Sequence, residues 1–241
     1  MAEEKKILLK GNCGEYQYNG DEYEYYFNGP SVKFVLYEDG TMVISGKGKM
    51  EDYHTFWDCC TKYKIKDQMP WYKYRKKIRH LIIEEGVTKV GENNFMGCKN
   101  LETIQWPSTL RMVNSGAFWK CSSLKEVTLP ACVQEWMNWI FSECTGLKKV
   151  TLEEGVQFGE PGSYHYGYKM FENCTALETV IIPDGLNVIP SCFVQGCPNI
   201  KEFHIPSGVV SFGSYPSSLC PETVVLPDTV RFIESSAFNN C

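Results

Sequence analysis

The sequence predicts a repeat solenoid: a curved stack of coils with one short parallel strand per coil, preceded by a β-rich N-terminal cap. Three observations carry this expectation. Seven successive segments end in cysteine, at Cys98, Cys121, Cys144, Cys174, Cys197, Cys220 and Cys241, with gaps of 23, 23, 30, 23, 23 and 21 residues. The same apolar skeleton fills each segment. The first 77 residues carry no such repeat and hold 10 of the 14 tyrosines. Units of this length cannot bury their own apolar side alone, and they stack to share one core.

In chain order, residues 1–77 are the expected capping region. Tyr16-Gln17-Tyr18-Asn19-Gly20-Asp21-Glu22-Tyr23 sets an Asn-Gly turn between β-prone runs. Val32 to Tyr37, then Glu38-Asp39-Gly40, then Thr41 to Ser45 give a second hairpin signal. A solenoid needs a terminal cap over its first core face, and this segment is placed to supply it. Residues 52–77 read as loop or short helices, with Pro70 opening a helical turn.

Seven units follow, at 78–100, 101–123, 124–146, 147–176, 177–199, 200–220 and 221–241. The second reads Leu101, Ile104, Trp106, Pro107, Leu110, Val113, Phe118, Cys121; the third reads Leu124, Val127, Leu129, Pro130, Val133, Trp136, Phe141, Cys144. Leu-x-x-Val-x-Leu alternates at its end, as a strand with one inward face does. The proline that follows has no N–H and stops the strand. The other apolar positions fall at irregular spacing, as in a returning coil. Seven rungs about 4.8 Å apart make an array roughly 29 Å long. Four departures from the pattern occur: the fourth unit carries an insertion, the fifth has its phenylalanine one place early at Phe193, the sixth has Ser217 in its place, and the last cysteine gap is two residues short. The unit length is that of a leucine-rich repeat.

Of the 12 cysteines, seven therefore share one structural position. Neighbouring coils would bring them close enough for disulfides. Each has two equal neighbours and their number is odd, so a ladder of small buried thiols is the simpler expectation. Cys13, Cys59, Cys60, Cys132 and Cys192 lie outside it, and nothing in the sequence singles one out as reactive.

Composition excludes several classes. A chain 43% hydrophobic and 22% charged is not a disordered tail. Its longest apolar runs, such as Ile7-Leu8-Leu9 and Val180-Ile181-Ile182, fall far short of the roughly 18 residues a membrane helix needs. A net charge of -5 argues against nucleic acid as a partner. Gly40 to Gly48 misses the P-loop spacing, with Gly48 where Ser or Thr is required. No Cys-x-x-Cys occurs, and His54, His80, His165 and His204 are scattered, so no metal, cofactor or catalytic residue is expected.

Candidate binding residues lie in two places. Outward strand positions form one column of His80, Thr103, Glu126, Lys149, Thr179, Glu202 and Thr223, and a second of Ile82, Gln105, Thr128, Thr151, Ile181, His204 and Val225. These suit a protein ligand on a solenoid face, and equally plain solvation. The insertion holds Tyr164, His165, Tyr166 and Tyr168 among glycines. Tyrosine and glycine together make recognition loops, or else the tyrosines cover neighbouring coils. A basic stretch of Lys62, Lys64, Lys66, Lys73, Arg75, Lys76, Lys77 and Arg79, interleaved with Trp71, Tyr72 and Tyr74, suits an anionic surface or a solvated cap exterior.

Gly116-Ala117-Phe118-Trp119-Lys120-Cys121 and Ser236-Ala237-Phe238-Asn239-Asn240-Cys241 closely match the repeat of the BspA-like leucine-rich repeat family. Gly11-Asn12-Cys13-Gly14, Asp39 to Met50 and Pro70-Trp71-Tyr72-Lys73-Tyr74-Arg75 are similar to the segment preceding such repeats. The resemblance covers nearly the whole chain. It implies a non-enzymatic module that binds a protein or glycan, at a cell surface in adhesion or recognition. The alternative is a cytosolic ligand sensor or scaffold presenting a partner to a separate effector. Met1 to Leu9 has no signal-peptide core, so the location is cytoplasmic if Met1 is the native start and the cell surface by resemblance. The last unit stops at Cys241 before another strand, which leaves self-association through an uncapped C-terminal coil as an expectation.

Overall fold

The protein is described from a computed structural model, in which residues 5–15, 17–18, 25–26, 31–53, 69–160, 166–216, 219, 223–235 and 237–238 are placed. The N-terminal segment supplies β1 (Ile7–Asn12), β2 (Gln17–Tyr18), β3 (Tyr25–Tyr26), β4 (Val32–Tyr37), β5 (Thr41–Gly46) and β6 (Gly48–Lys49). β1, β4 and β5 pair antiparallel. The β4–β5 turn forms as expected: Gly40 takes φ 88°, and its N–H donates to Tyr37 O at 3.0 Å. Tyr18 pairs antiparallel with Tyr25, and the Asn19-Gly20 turn expected there lies outside the described residues.

The repeats build a first parallel ladder from β7 (His80–Ile83), with later rungs β9, β11, β13 and β14 at Thr103–Gln105, Glu126–Leu129, Lys149–Leu152 and Thr179–Ile181. The register follows the repeat: His80 pairs with Thr103, and Glu126 with Lys149 and then Thr179. β5 pairs parallel with β7, Thr41 against His80, so the capping hairpin extends the same sheet. A rung in all seven coils was expected. The sixth coil keeps only a bridge from Thr179 to Glu202, residues 223–227 form no strand, and β9 and β11 belong to separate sheets.

One strand per coil was also expected, and the coils carry a second. β8 (Val87–Val90), β10 (Met112–Val113) and β12 (Glu135–Trp136) continue β6 as one parallel sheet, and β15 (Val188–Ile189), β16 (Ser211–Phe212) and β17 (Phe232–Ile233) form another. These rungs of mostly two residues are too short to show alternation. Their inward column, Val90, Val113, Trp136, Ile189 and Phe212, is buried.

Inside the array runs a spine of rings. Phe95, Phe118, Phe141 and Phe171 stack nearly parallel, with centroids 5.3, 5.3 and 5.6 Å apart. Trp71 continues the stack into the cap, 5.7 Å from Phe95. Beside the rings, Cys98, Cys121, Cys144, Cys174 and Cys197 are buried free thiols. They also bond: the Sγ of Cys121, Cys144, Cys174 and Cys197 donates at 3.1–3.2 Å to the carbonyl of the phenylalanine one coil back. Cys220 and Cys241 lie outside the described residues.

Each of five coils turns at two left-handed positions, five and one residues before the cysteine. Asn93, Gly116, Trp139, Lys169 and Cys192 take the first, and Gly97, Lys120, Glu143, Asn173 and Gly196 the second, with φ between 54° and 71°.

Candidate functional site

Outward side chains of the first ladder form the face predicted to bind. The fold needs the inward residues, such as Leu81, Val127 and Val150, which are buried. Strand alternation leaves the outward ones to solvent or a ligand. Gln105, Glu126 and His204 are exposed, while His80, Ile82 and Lys149 are half-buried. Ile181 is 44% exposed and Val225 83%. The strand register brings His80 beside Thr103, its Nδ1 3.0 Å from Thr103 Oγ1, and sets Glu126 beside Lys149. At the rim, Arg79 pairs with Glu102 at 2.8 Å and Lys201 with Glu178. The face is of mixed polarity with isolated aliphatics, and its rungs fall in two sheets, β7 and β9 in one and β11, β13 and β14 in the other.

The insertion residues lie elsewhere. Tyr164 and His165 fall outside the described residues. Tyr168 is half-buried, edge-on to Trp139 with centroids 5.5 Å apart, and Lys169 Nζ sits 5.6 Å from its ring. A side chain at Gly159 would meet the half-buried Tyr166 ring at 2.3 Å. Both tyrosines therefore pack on neighbouring chain at the turn side of the coil, and the structure does not join them to the ladder columns. The basic stretch is also partly engaged: Arg75 lies 3.8 Å over the Tyr72 ring. Lys62, Lys64 and Lys66 are outside the described residues.

Among the described residues no group of three His, Cys, Asp or Glu could hold a metal ion. Burial pushes the Cys13 thiol up to about 12. Burial also raises Cys132, against a lowering by Arg111. His54, Cys59 and Cys60 lie outside the described residues.

A buried charge cluster that the sequence pattern does not reveal joins cap to array. Lys89 sits on β8, its side chain 8% exposed, with Nζ 2.6 Å from Glu15 Oε1 and 2.7 Å from Asp52 Oδ2. Asp52 Oδ1 accepts from Glu92 N at 2.6 Å and Asn114 Nδ2 at 2.9 Å. Asn93 and Asn94 donate to Tyr53 O and Glu51 O. Burial alone would raise Asp52, but these donors and the ammonium outweigh it and hold its carboxyl low. Gly91 makes the close approach possible, since a Cβ there would lie 2.0 Å from Glu51 O.

The repeat geometry is matched by a family profile described as BspA type leucine rich repeat region, in six copies, over residues 70–166 and 160–241. The chain belongs to the BspA-type leucine-rich repeat family. A search of curated proteins found no match. Solved structures of similar fold include a leucine-rich repeat protein of T. pallidum, at 21% identity and TM-score 0.46, covering 84% of this chain and 83% of that one. A leucine-rich repeat protein from Bacteroides ovatus matches at 18% identity and TM-score 0.49, covering 94% of this chain and 61% of that one. The pneumococcal vaccine antigen PcpA matches at 16% identity and TM-score 0.52, over 95% of this chain and 63% of that one. The chain thus spans less than two thirds of the last two proteins. At these identities the likeness is one of fold.

Family membership explains the regular columns. It does not explain the sixth coil, where Phe203 is the lone aromatic in the column Leu81, Ile104, Val127, Val150, Val180, Phe203, Val224, and Tyr215 stands two residues before the missing phenylalanine. Those two substitutions were the sequence signal for a feature of the ladder that periodicity alone passes over.

Proposed function

We propose that the array is a protein-binding module that reads a partner through the outward columns of its first ladder, in recognition or adhesion at a cell surface. The observation that carries this reading is the register: exposed Glu126 beside half-buried Lys149, with Gln105 and the half-exposed Ile181 on the same face, at positions the core does not constrain. Mixed polar groups around isolated aliphatics resemble the composition of a non-obligate interface. Membership of the BspA-type family and the fold shared with a pneumococcal vaccine antigen support the surface setting.

The test compares capture from solubilised surface proteins of the native surroundings by three forms of the chain. These are the unaltered chain, a face variant (Glu126→Lys, Lys149→Glu, Ile181→Asp), and a turn-side variant (Lys120→Ser). One partner held by the first and third, and lost at least tenfold by the second, is expected. Equal capture by all three would remove the ladder face as the binding surface.

A further inference from the structure

The first ladder is interrupted twice, and the two breaks differ. Between the second and third coils the chain fills its own gap. Trp106 stands where other coils carry Ile83, Leu129 or Leu152. Its Nε1–H donates to Thr128 O at 2.9 Å, and its ring packs edge-on against Phe118 and Trp136 at 5.6 and 6.2 Å. Between the sixth and seventh coils nothing among the described residues does this. Pairing ends at the Thr179–Glu202 bridge. The backbone groups of His204, Ile205, Val224, Val225 and Leu226 make no hydrogen bond among the described residues.

A cleft of about 350 Å³ opens between these two segments, with Phe203, His204, Tyr215, Val224, Val225 and Leu226 among its walls. The coils remain joined behind it, where Ser211 pairs with Phe232 and Phe212 with Ile233. Bulky rings account for the parting. Phe203 occupies a column of smaller aliphatics, and Tyr215 stands between the coils, 5.8 Å from the Phe203 ring and 6.0 Å from the Phe238 ring.

We propose that this cleft takes an extended, basic-flanked peptide segment of a partner protein by strand addition. The proposal rests on the reading of the chain as a protein-binding module and adds a second, chemically distinct site to it. Two facing stretches of backbone with free donors and acceptors are what a strand pairs with, and side chains alternating along it meet Phe203, Tyr215, Val224 and Leu226 in the cleft lining. A ligand site of this volume lies at the small end of the usual range, which suits three or four residues spanning about 10–13 Å. Charge sets the flanks. Glu202 precedes one wall segment in the chain and Asp228 follows the other, and both are exposed. The nearby cations are already engaged, Lys201 by Glu178 and the Arg231 guanidinium by Asp228 O and Val230 O. An acidic mouth favours lysine or arginine beside the inserted residues.

The probe is a capped synthetic peptide, Lys-Lys-Val-Thr-Leu, the sequence of residues 148–152, which already adopts a ladder strand in this chain. Amide exchange is followed by NMR in the full chain. With millimolar peptide, exchange slows at least tenfold at Ile205 and Val225, whose N–H groups face the gap if the register by which Leu129 O accepts from Glu153 N is continued, since alternate residues of a strand bond to one neighbour. The same peptide N-methylated at Val and Leu gives no slowing, and a Glu-Glu-Val-Thr-Leu version binds at least tenfold more weakly. Val225→Pro, which removes one wall N–H at an exposed residue, weakens the peptide at least tenfold while the amides of Phe212 and Ile233 keep their protection, showing an intact fold. Four results would overturn the proposal: no slowing with millimolar peptide, equal slowing by the N-methylated form, slowing confined to the outer strand β1, or slowing that rises with protein concentration alone, which would make a second copy the occupant. Any of these, beside a positive result for the face variant above, removes the cleft and leaves the module reading standing.

Discussion

The indole of Trp71 lies 5.7 Å from the Phe95 ring and within 16° of parallel, so the cap ends the array by supplying the next ring of its spine. Both side chains are fully buried, and Trp71 Nε1 donates to Asn94 O at 2.9 Å. Tyr53 and Phe34 meet the same indole edge-on at 5.9 and 4.9 Å. Trp71→Ala therefore uncovers the first coil and breaks the joint at its centre. A loss of about 3–5 kcal/mol is expected, as for other buried tryptophans. Trp71→Phe keeps a stacked ring and loses less. Urea unfolding of both variants ranks them, and a Trp71→Ala chain of unchanged stability would show that the cap closes the core by other contacts.

The ladder thiols should be inert in the folded chain. Burial raises Cys98, Cys121 and Cys174 well above the ordinary value of 9.0 and pushes Cys197 up to about 12. A raised thiol stays protonated at pH 8, and only the thiolate attacks. Cys132 is the half-buried exception. Iodoacetamide at pH 8 followed by peptide mass analysis should label Cys132 first among these, and the ladder only after denaturation. Early labelling of Cys121 would mean the coils open readily.

Repeat period, core columns and ladder register were all legible because each rests on a residue recurring once per coil. Cys121 predicts Cys144 because both fill one place. Non-periodic features escaped. Trp71 lies before the first repeat, so no column announces it as a spine ring. Lys89 stands among β-branched residues on β8, and only its partners Glu15 and Asp52, 74 and 37 residues away, explain a buried ammonium. The second ladder escaped because two residues cannot show a period. The outward column shows the expected register where rungs pair, from His80 to Thr103 and from Glu126 through Lys149 and Thr179 to Glu202, but that register is a property of the fold. What it binds depends on side chains the core leaves free, which is why the same pattern fits recognition and solvation alike.

The left-handed column gives a paired test. Gly196 sits at φ 71°, and a Cβ there would lie 2.2 Å from Asn173 Oδ1. Gly196→Ala should cost about 1–2 kcal/mol from the left-handed backbone, with that contact added. Lys120 occupies the equivalent position three coils earlier at φ 64°. Lys120→Gly relieves the same strain, and glycine's greater unfolded freedom offsets it by about 0.5–1 kcal/mol. The net change should stay under about 1 kcal/mol. Thermal unfolding of the two variants decides it, and equal losses would show that the column imposes no left-handed strain.

The Lys89 cluster makes the cap joint dependent on pH at both ends. Burial would raise the Asp52 carboxyl, but Lys89, Glu92 N–H and Asn114 hold it below its ordinary 3.8. A folded value below the unfolded one means its contribution is present above about pH 4 and is lost as pH falls through the folded value. Burial would lower Lys89, yet Asp52 and Glu15 raise it above 10.5. That contribution is complete below the unfolded value and is lost as pH rises through the folded one. Stability of the joint should therefore hold from about pH 5 to 9 and decline outside. Asp52→Ala leaves the buried ammonium with Glu15 alone and should cost about 3 kcal/mol. Lys89→Met should cost less, because Asp52 is 22% exposed and keeps its bonds from Glu92 and Asn114. Asp52→Ala should also flatten the acid limb of the stability curve between pH 5 and 2 relative to the unaltered chain, and an unchanged acid limb would assign that sensitivity to another carboxylate.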